Sequence, residues 1–170
     1  MPDLTIALAG NPNAGKTTIF NLLTGLHQHT GNWPGKTVEK KEGEIEHEGK
    51  TINVVDLPGT YSLTAYSPEE IIARDYIIEE RPDVVINVVD TTNLERNLYL
   101  TVQILELDVP VILALNMTDD LQKTGATVNV DQLSQLLGNI PVVQTAANKG
   151  SGIKNLVKMA VDAARKRELA

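Results

Sequence analysis

The sequence predicts an α/β fold in three layers (α/β/α), built on a six-stranded, mostly parallel sheet with one antiparallel hairpin strand. Strand-like and helix-like segments alternate along nearly the whole chain, as they do in parallel sheets. Residues 84–89 are rich in β-branched side chains, which suits a strand covered on both faces. Two extended segments flank Glu48-Gly49, which indicates a hairpin turn.

The first half of the chain contains a short apolar strand at 4–9 and, after a glycine-rich turn, a helix at 16–24 with apolar residues at helical spacing. Residues 28–36 hold two glycines, one proline and one asparagine, and predict a mobile loop. Residues 38–47 and 51–56 form the two arms of the hairpin.

The second half continues the alternation. A helix is predicted at 68–79, where Pro68 suits the first turn, and a buried strand at 84–90. The remaining predicted elements are a helix at 93–107, a strand at 109–117, a helix at 130–137 closed by Gly138, a strand at 141–145 and a helix at 152–167.

Composition narrows the classes of protein that fit. The 170 residues suit one domain, 1–170, and 42% hydrophobic residues suffice for a core. The absence of cysteine excludes disulfides and thiolate metal sites. A net charge of −7 argues against a nucleic-acid partner. The start of the chain has no signal-peptide pattern, and the longest apolar run, 109–115, is too short to span a bilayer, so this chain by itself is expected to be soluble.

The clearest motif lies between the first strand and the first helix. Residues 10–17 match G-x-x-x-x-G-K-[ST], whose glycines let backbone N–H groups wrap around phosphates at a helix N-terminus. Lys16 is predicted to contact the β- and γ-phosphates, and the Thr17 hydroxyl to ligate Mg²⁺. The predicted nucleotide contacts are Gly10, Asn11, Pro12, Asn13, Ala14, Gly15, Lys16, Thr17 and Thr18.

A second motif, Asp56-Leu57-Pro58-Gly59, directly follows the strand segment 52–55, at a strand's carboxyl end, where ligands of α/β folds bind. Asp56 is predicted to contribute to the Mg²⁺ site, and the Gly59 N–H to meet the γ-phosphate. A threonine in the loop before the hairpin can also ligate Mg²⁺ while a γ-phosphate is present. More than one threonine flanks that loop, so this argument alone does not choose between them.

A third motif predicts which base is bound. Asn116-Met117-Thr118-Asp119 lies at the end of the apolar strand segment 109–115 and matches the N-x-x-D form of a guanine-reading motif. The Asp119 carboxylate can accept from the N1–H and exocyclic amine of guanine, a donor pair that adenine lacks. Asn116 holds the loop, and Met117 covers the base without the charge of the more frequent lysine. Thr145, Ala146 and Ala147 fit a further base-contacting loop.

Together these motifs resemble the translation-factor-related GTPases, which have the Ras-like P-loop GTPase fold. Residues 10–21, 31–43 and 55–63 and the 116–119 tetrapeptide resemble more closely the N-terminal G domain of FeoB-type ferrous iron transporters, over essentially the whole chain. The segment Gly31-Asn32-Trp33-Pro34-Gly35-Lys36-Thr37-Val38-Glu39 is the most specific part. The resemblance implies that Thr37 is the Mg²⁺-ligating threonine.

The same resemblance implies a potassium site. Asn13 matches the asparagine that helps bind K⁺ in potassium-activated relatives, with backbone carbonyls of Asn32 and Trp33 completing the site; alternatively, Asn13 only hydrogen-bonds within its own loop. Thr60 stands where Ras-like enzymes have a water-orienting glutamine, so intrinsic hydrolysis is expected to be slow. Glu69 and Glu70 are candidates to hold the water, although acids are favoured at a helix start in any case.

These inferences lead to a GTPase that converts GTP to GDP and phosphate, with Lys16, Thr37, Gly59 and Asn13 in the catalytic roles. The resemblance implies that it regulates or drives ferrous iron uptake from the cytoplasmic face of the membrane. Helical and membrane domains of the same protein, absent from this chain, would be its partners, and a homo-oligomer is compatible with it. Two alternatives stay open: a slow GTP/GDP switch acting by partner binding, and a free-standing RNA- or ribosome-associated GTPase.

Overall fold

The computed structural model describes residues 1–169 and has seven strands in one sheet, surrounded by six helices. The strands are β1 Leu4–Gly10, β2 Gln28–Asn32, β3 Glu39–His47, β4 Lys50–Asp56, β5 Val84–Asp90, β6 Val111–Asn116 and β7 Val142–Gln144. The helices are α1 Lys16–Thr24, α2 Pro68–Glu80, α3 Leu94–Leu105, α4 Thr118–Lys123, α5 Val130–Leu136 and α6 Ile153–Leu169. Thr91–Asn93 and Ala147–Lys149 form 3₁₀ turns.

The sheet runs in the order β2-β3-β4-β1-β5-β6-β7. The pairs β4–β1, β1–β5, β5–β6 and β6–β7 are parallel, whereas β3 is antiparallel to both of its neighbours. The carboxyl ends of the parallel strands therefore meet at one edge, which is where such sheets bind ligands. The predicted fold class is confirmed, and the antiparallel strand is β3.

The strand count differs from the prediction because residues 28–36 are not a loop throughout. Gln28–Asn32 pairs antiparallel with β3, from Gln28 opposite Gly43 to Asn32 opposite Glu39. This edge strand carries only polar residues and glycine, and almost all of it is exposed, so no apolar alternation marks it. At the other end of β3 the turn is as predicted: Glu48 and Gly49 have φ values of 50° and 77°, as a two-residue hairpin turn with both residues left-handed requires.

Two apolar layers sandwich the sheet. Helices α1 and α6 pack on one face through residues such as Phe20 and Leu156, and α2 and α3 pack on the other through Ile77 and Leu100. Helix α5 packs Leu133 against the end of the sheet formed by β6 and β7. Within residues 1–169 no helix combines the length and the apolar character that crossing a membrane requires.

Candidate nucleotide-binding site

The loops predicted to bind nucleotide gather at the carboxyl edge of the parallel strands. The phosphate loop follows β1, Asp56 ends β4, Asn116 ends β6 and Thr145 follows β7. A cavity of about 530 Å³ opens beside the phosphate loop at this edge. Its lining consists of Asn11, Pro12, Asn13, Gly15, Lys16, Thr17, Thr18, Gly59 and Met117. Motifs separated by up to a hundred residues in sequence are thus brought to one place.

Close packing explains two glycines of the phosphate loop. Gly15 precedes α1 with a φ of 90°, and a Cβ on it would lie 2.1 Å from the Asn116 amide nitrogen. A Cβ on Gly10 would lie 2.7 Å from the Val88 carbonyl oxygen. A side chain at either position would collide with a neighbouring element, so the loop keeps the tight path that leaves its backbone N–H groups available at the start of α1.

Lys16 connects the phosphate loop to the end of β4. Its side chain is buried, and its ammonium donates to the Asp56 carboxylate and, at 2.6 Å, to the Leu57 carbonyl. The Thr17 hydroxyl, which lines the same cavity, and the Asp56 carboxylate are oxygen donors of the kind that Mg²⁺ prefers. These residues therefore fit the Mg²⁺ site predicted for them.

The segment that follows Asp56 lies directly on the phosphate loop. The Thr60 N–H donates to the Gly10 carbonyl at 3.1 Å, and a Cβ on Gly59 would lie 3.3 Å from the Pro12 backbone. Gly59 lines the cavity, as its predicted role beside the γ-phosphate requires. The glycine here permits a backbone-to-backbone approach that a larger residue would widen.

Asn116 joins three loops through one buried amide. Its nitrogen donates to the Ala14 carbonyl at 3.0 Å, and its oxygen accepts from the Thr145 hydroxyl and the Ala147 N–H, each at 3.0 Å. The Thr118 hydroxyl adds a bond to the Thr145 carbonyl at 2.9 Å. With both ends of the amide bonded and only 2% of the residue exposed, the phosphate loop and the two base-side loops are held in one fixed arrangement.

Asp119 occupies the first turn of α4, next to Met117, whose left-handed φ of 63° precedes the helix. One carboxylate oxygen, Oδ2, lies 3.3 Å from the Asn148 amide nitrogen and 3.6 Å from the Lys149 ammonium. The other, Oδ1, is buried without a protein donor. Burial alone would raise the pKa of Asp119, but the Asn148 hydrogen bond, nearby backbone N–H groups and the Lys149 charge together lower it. Asp119 is thus an ionised acceptor with spare capacity.

The metal ligands predicted within residues 31–38 lie outside this cavity. Thr37 is exposed, and neither it nor Asn32 nor Trp33 lines the cavity. The Trp33 carbonyl accepts from the Lys36 N–H at 2.9 Å, and its indole is buried edge-on against the Tyr76 ring, with centroids 5.7 Å apart. In this conformation Trp33 belongs to the apolar core, and the structure does not bring Thr37 to Thr17 and Asp56.

Known proteins of one family resemble this chain in sequence and in structure. A family model described as ferrous iron transport protein B matches residues 4–160. The chain belongs to this family. The Fe(2+) transport protein A/Fe(2+) transporter FeoB fusion protein of Porphyromonas gingivalis is 54% identical over 154 residues, which are 90% of this chain and 18% of that protein. The Fe(2+) transporter FeoB of Escherichia coli K12 is 52% identical over 166 residues, covering 95% and 21% respectively. The chain thus spans about a fifth of these FeoB relatives.

Solved FeoB structures share the fold. The FeoB G-domain of Methanococcus jannaschii is 52% identical with a TM-score of 0.86, and the match covers 97% of this chain and 99% of that one. An S. thermophilus NFeoB point variant bound to GDP is 54% identical with a TM-score of 0.88, covering 92% and 61%. This chain is accordingly a FeoB-type G domain with the Ras-like P-loop GTPase fold.

Three residues, Glu70, Asn148 and Lys149, make side-chain contacts that the sequence did not predict. Glu70, a candidate for holding water, accepts from the Thr64 N–H at 3.2 Å and its hydroxyl at 2.7 Å, and from Ser62 at 3.2 Å, so it closes its own loop. The capping-box spacing of Ser67 and Glu70 accounts for the bond from the Glu70 N–H to the Ser67 hydroxyl at 3.1 Å, but it does not predict the contacts of the Glu70 carboxylate with Thr64 and Ser62. The contacts of Asn148 and Lys149 with Asp119 had no signal beyond their position after the 145–147 loop.

Proposed function

We propose that this domain binds guanine nucleotide with Mg²⁺ and hydrolyses GTP to GDP and phosphate. The observation that carries the proposal is the junction at Asn116, because it fixes the phosphate loop and the base-reading loops relative to one another. A nucleotide is the ligand class that requires a phosphate site and a base site at a set separation. GDP in solved FeoB relatives supports the same ligand.

Guanine is the base that suits Asp119. A buried carboxylate oxygen without a donor is unfavourable unless a ligand supplies one, and guanine supplies two through its N1–H and exocyclic amine. Adenine lacks that pair and would leave the carboxylate unpaired. The cover of Met117 and the loop formed by Thr145, Ala146 and Ala147 would complete the base site.

The phosphate side would act by charge and position. Lys16 would exchange its bonds to Asp56 and Leu57 for phosphate oxygens, and the Gly59 N–H would meet the γ-phosphate. Mg²⁺, held by Thr17, Asp56 and, after movement of its loop, Thr37, neutralises charge on the phosphates when bound. Water attacks the γ-phosphorus in line while the bond to the β-phosphate oxygen breaks. Thr60 stands where Ras-like enzymes have a water-orienting glutamine. GTP hydrolysis by this domain alone should therefore be slow.

A potassium ion fits the same cavity chemically. Asn13 lines it and offers an amide oxygen, a ligand suited to a hard cation. Asn32 and Trp33 could contribute carbonyls only after the 31–38 loop moves. K⁺ there would supply positive charge beside the phosphates, in the manner of an arginine finger.

Steady-state GTP hydrolysis with Mg²⁺, in potassium and in sodium buffer of equal ionic strength, tests both the hydrolysis and the potassium site. We expect measurable turnover that potassium accelerates, and an Asn13→Ala variant that loses the acceleration but keeps a basal rate. Equal rates in the two buffers would reduce Asn13 to a structural residue of its loop. Absence of turnover in either buffer, with GDP bound no better than ADP, would refute the GTPase itself.

The cellular role we propose is control of ferrous iron uptake. The FeoB relatives are Fe(2+) transporters about five times as long as this chain, which supports a G domain acting on helical and membrane domains of one protein at the cytoplasmic membrane face. Ferrous iron uptake should therefore fall in cells whose full-length transporter carries Lys16→Ala. Unchanged uptake at equal protein level would contradict that role.

A slow switch is the second candidate, and Thr60 favours it. A timer needs two nucleotide states with different surfaces and little turnover, whereas a transport motor must hydrolyse at least as fast as iron moves. Measuring turnover and iron flux in the same vesicles separates the two. Flux far above turnover identifies a switch, and a fixed ratio identifies a motor. Membership of this family favours either over a free-standing ribosome-associated GTPase.

A further inference from the structure

The side-chain donors to the Asp119 carboxylate, within residues 1–169, come from a single short turn. Asn148 lies 3.3 Å and Lys149 lies 3.6 Å from the same oxygen, Oδ2. Asp119 is mostly buried, whereas Asn148 and Lys149 are largely exposed. Both donors therefore reach inward from the rim of the base site to a group that is itself protected from water.

The turn that carries them is firmly anchored. Ala146 and Ser151 exchange two backbone hydrogen bonds of 3.1 Å, and the Lys149 N–H donates to the Ala146 carbonyl at 2.9 Å. Gly152, with a φ of 83°, lies so close to Gln144 that a Cβ on it would be 2.3 Å from that carbonyl oxygen. The backbone under Asn148 and Lys149 is thus fixed on both sides, so their side chains start from a defined position.

The other residues near the base site have no free side-chain donor that could orient the Asp119 carboxylate. Met117 is uncharged, and Ala146 and Ala147 have no side-chain donor. The Thr145 hydroxyl is already committed to Asn116. An unrestrained carboxylate would have to lose its rotational freedom when it meets the base, which weakens binding.

We propose that Asn148 and Lys149 are a positioning pair for guanine. Asn148 fixes the plane of the Asp119 carboxylate through Oδ2, and Lys149 supplies at the rim the positive charge that Met117 lacks. A carboxylate oxygen has room for more than one donor, so Oδ2 and the unpartnered Oδ1 remain able to accept from the base. This inference rests on the proposed function and concerns how tightly, and how selectively, this chain reads guanine.

The test compares GDP, IDP and ADP as competitors of a fluorescent GDP on the wild-type domain and its variants. IDP keeps the N1–H of guanine but lacks the exocyclic amine. Asn148→Ala should weaken GDP binding about tenfold, the size expected for a hydrogen bond to a charged group, and IDP binding clearly less. The GDP-to-IDP preference should therefore shrink, because a misaligned carboxylate loses the two-point contact first.

Lys149→Met should weaken GDP about threefold and flatten the dependence of its affinity on salt, while Lys149→Arg should behave as wild type. Gln135→Ala on α5 and Lys158→Met on α6, both at exposed positions, serve as matched controls and should alter nothing. An unchanged GDP-to-IDP ratio in Asn148→Ala, or equal losses for GDP, IDP and ADP, would overturn the proposal. A wild-type domain that binds ADP as tightly as GDP would instead overturn the proposed function beneath it.

Discussion

The two ends of the candidate site are built differently. At the base end, one buried amide, Asn116, bonds to three backbone or side-chain groups on two other loops. At the opposite end, residues 34–37 are exposed, and Trp33 is the one buried side chain between residues 31 and 37. One end is fixed by a polar network, whereas the other is attached by an aromatic side chain packed against a helix.

This difference suits two separate tasks: recognising the base and responding to the γ-phosphate. Regions with few buried contacts open at lower free energy than regions held by buried networks. A base site must discriminate in every nucleotide state, so a fixed network suits it. A loop that ligates metal only while a γ-phosphate is present must move, and the exposure of residues 34–37 leaves few buried contacts to oppose that movement.

The largest effect should come from Lys16→Ala, which removes the phosphate-binding charge that lies between the two ends. We expect GTP turnover to fall by about a hundredfold or more, as it does when a charge-stabilising donor is deleted. Steady-state hydrolysis measures this, and Lys158→Ala at an exposed position of α6 is the control. Because Asp56 loses its buried partner, thermal unfolding must be followed in parallel; a folded variant with near-normal turnover would contradict the site.

Asp119→Asn should change which base the fixed end accepts. Asparagine offers an amide N–H where the carboxylate accepted, so GDP should bind at least tenfold more weakly while xanthosine diphosphate, which has a carbonyl at that position, should bind better. Competition binding with the two diphosphates measures the exchange. An unchanged preference would mean that another residue reads guanine.

Trp33→Ala should affect the opposite end alone. Removing a buried tryptophan should lower the free energy of unfolding by about 3 kcal/mol. GDP affinity should stay within about twofold, since changes at distant, independent sites leave each other's energies nearly unaltered. Urea unfolding measures the loss of stability, and GDP titration measures the affinity. A large loss of GDP affinity in the folded variant would mean that the two ends are coupled.

Much of the phosphate loop and of the base end could be predicted from sequence, because each of their motifs occupies only a few consecutive residues. Gly10, Gly15 and Lys16 follow from a short motif between a strand and a helix, and Asn116 and Asp119 follow from a tetrapeptide at the end of a strand. The confirmed fold class rests on similar local patterns.

The opposite end depends on contacts distant in sequence, which no local pattern reveals. Strand β2 is held by backbone pairing with β3 and has no apolar alternation to mark it. Trp33 is buried because Tyr76, more than forty residues later, lies beneath it. Asn148 meets Asp119 for the same long-range reason.

The smallest effect concerns the ring under Trp33. Burial, with the nearby carboxylates of Glu80, Glu42 and Asp83, raises the pKa of Tyr76 from 10.0 to about 12. Between these values the folded chain keeps a proton that the unfolded chain releases, so this contribution to stability is complete below pH 10 and is lost as pH rises toward 12.

Wild type should therefore lose about 1–2 kcal/mol of unfolding free energy over that interval relative to Tyr76→Phe, once solvent screening of a partly exposed group is allowed for. Urea unfolding at several values between pH 9 and 12 measures it, with the exposed Tyr66→Phe as control. Parallel profiles for wild type and Tyr76→Phe would mean that the ring is hydrated. In that case Trp33 would be held more loosely than its burial indicates, and the contrast between the two ends would be greater still.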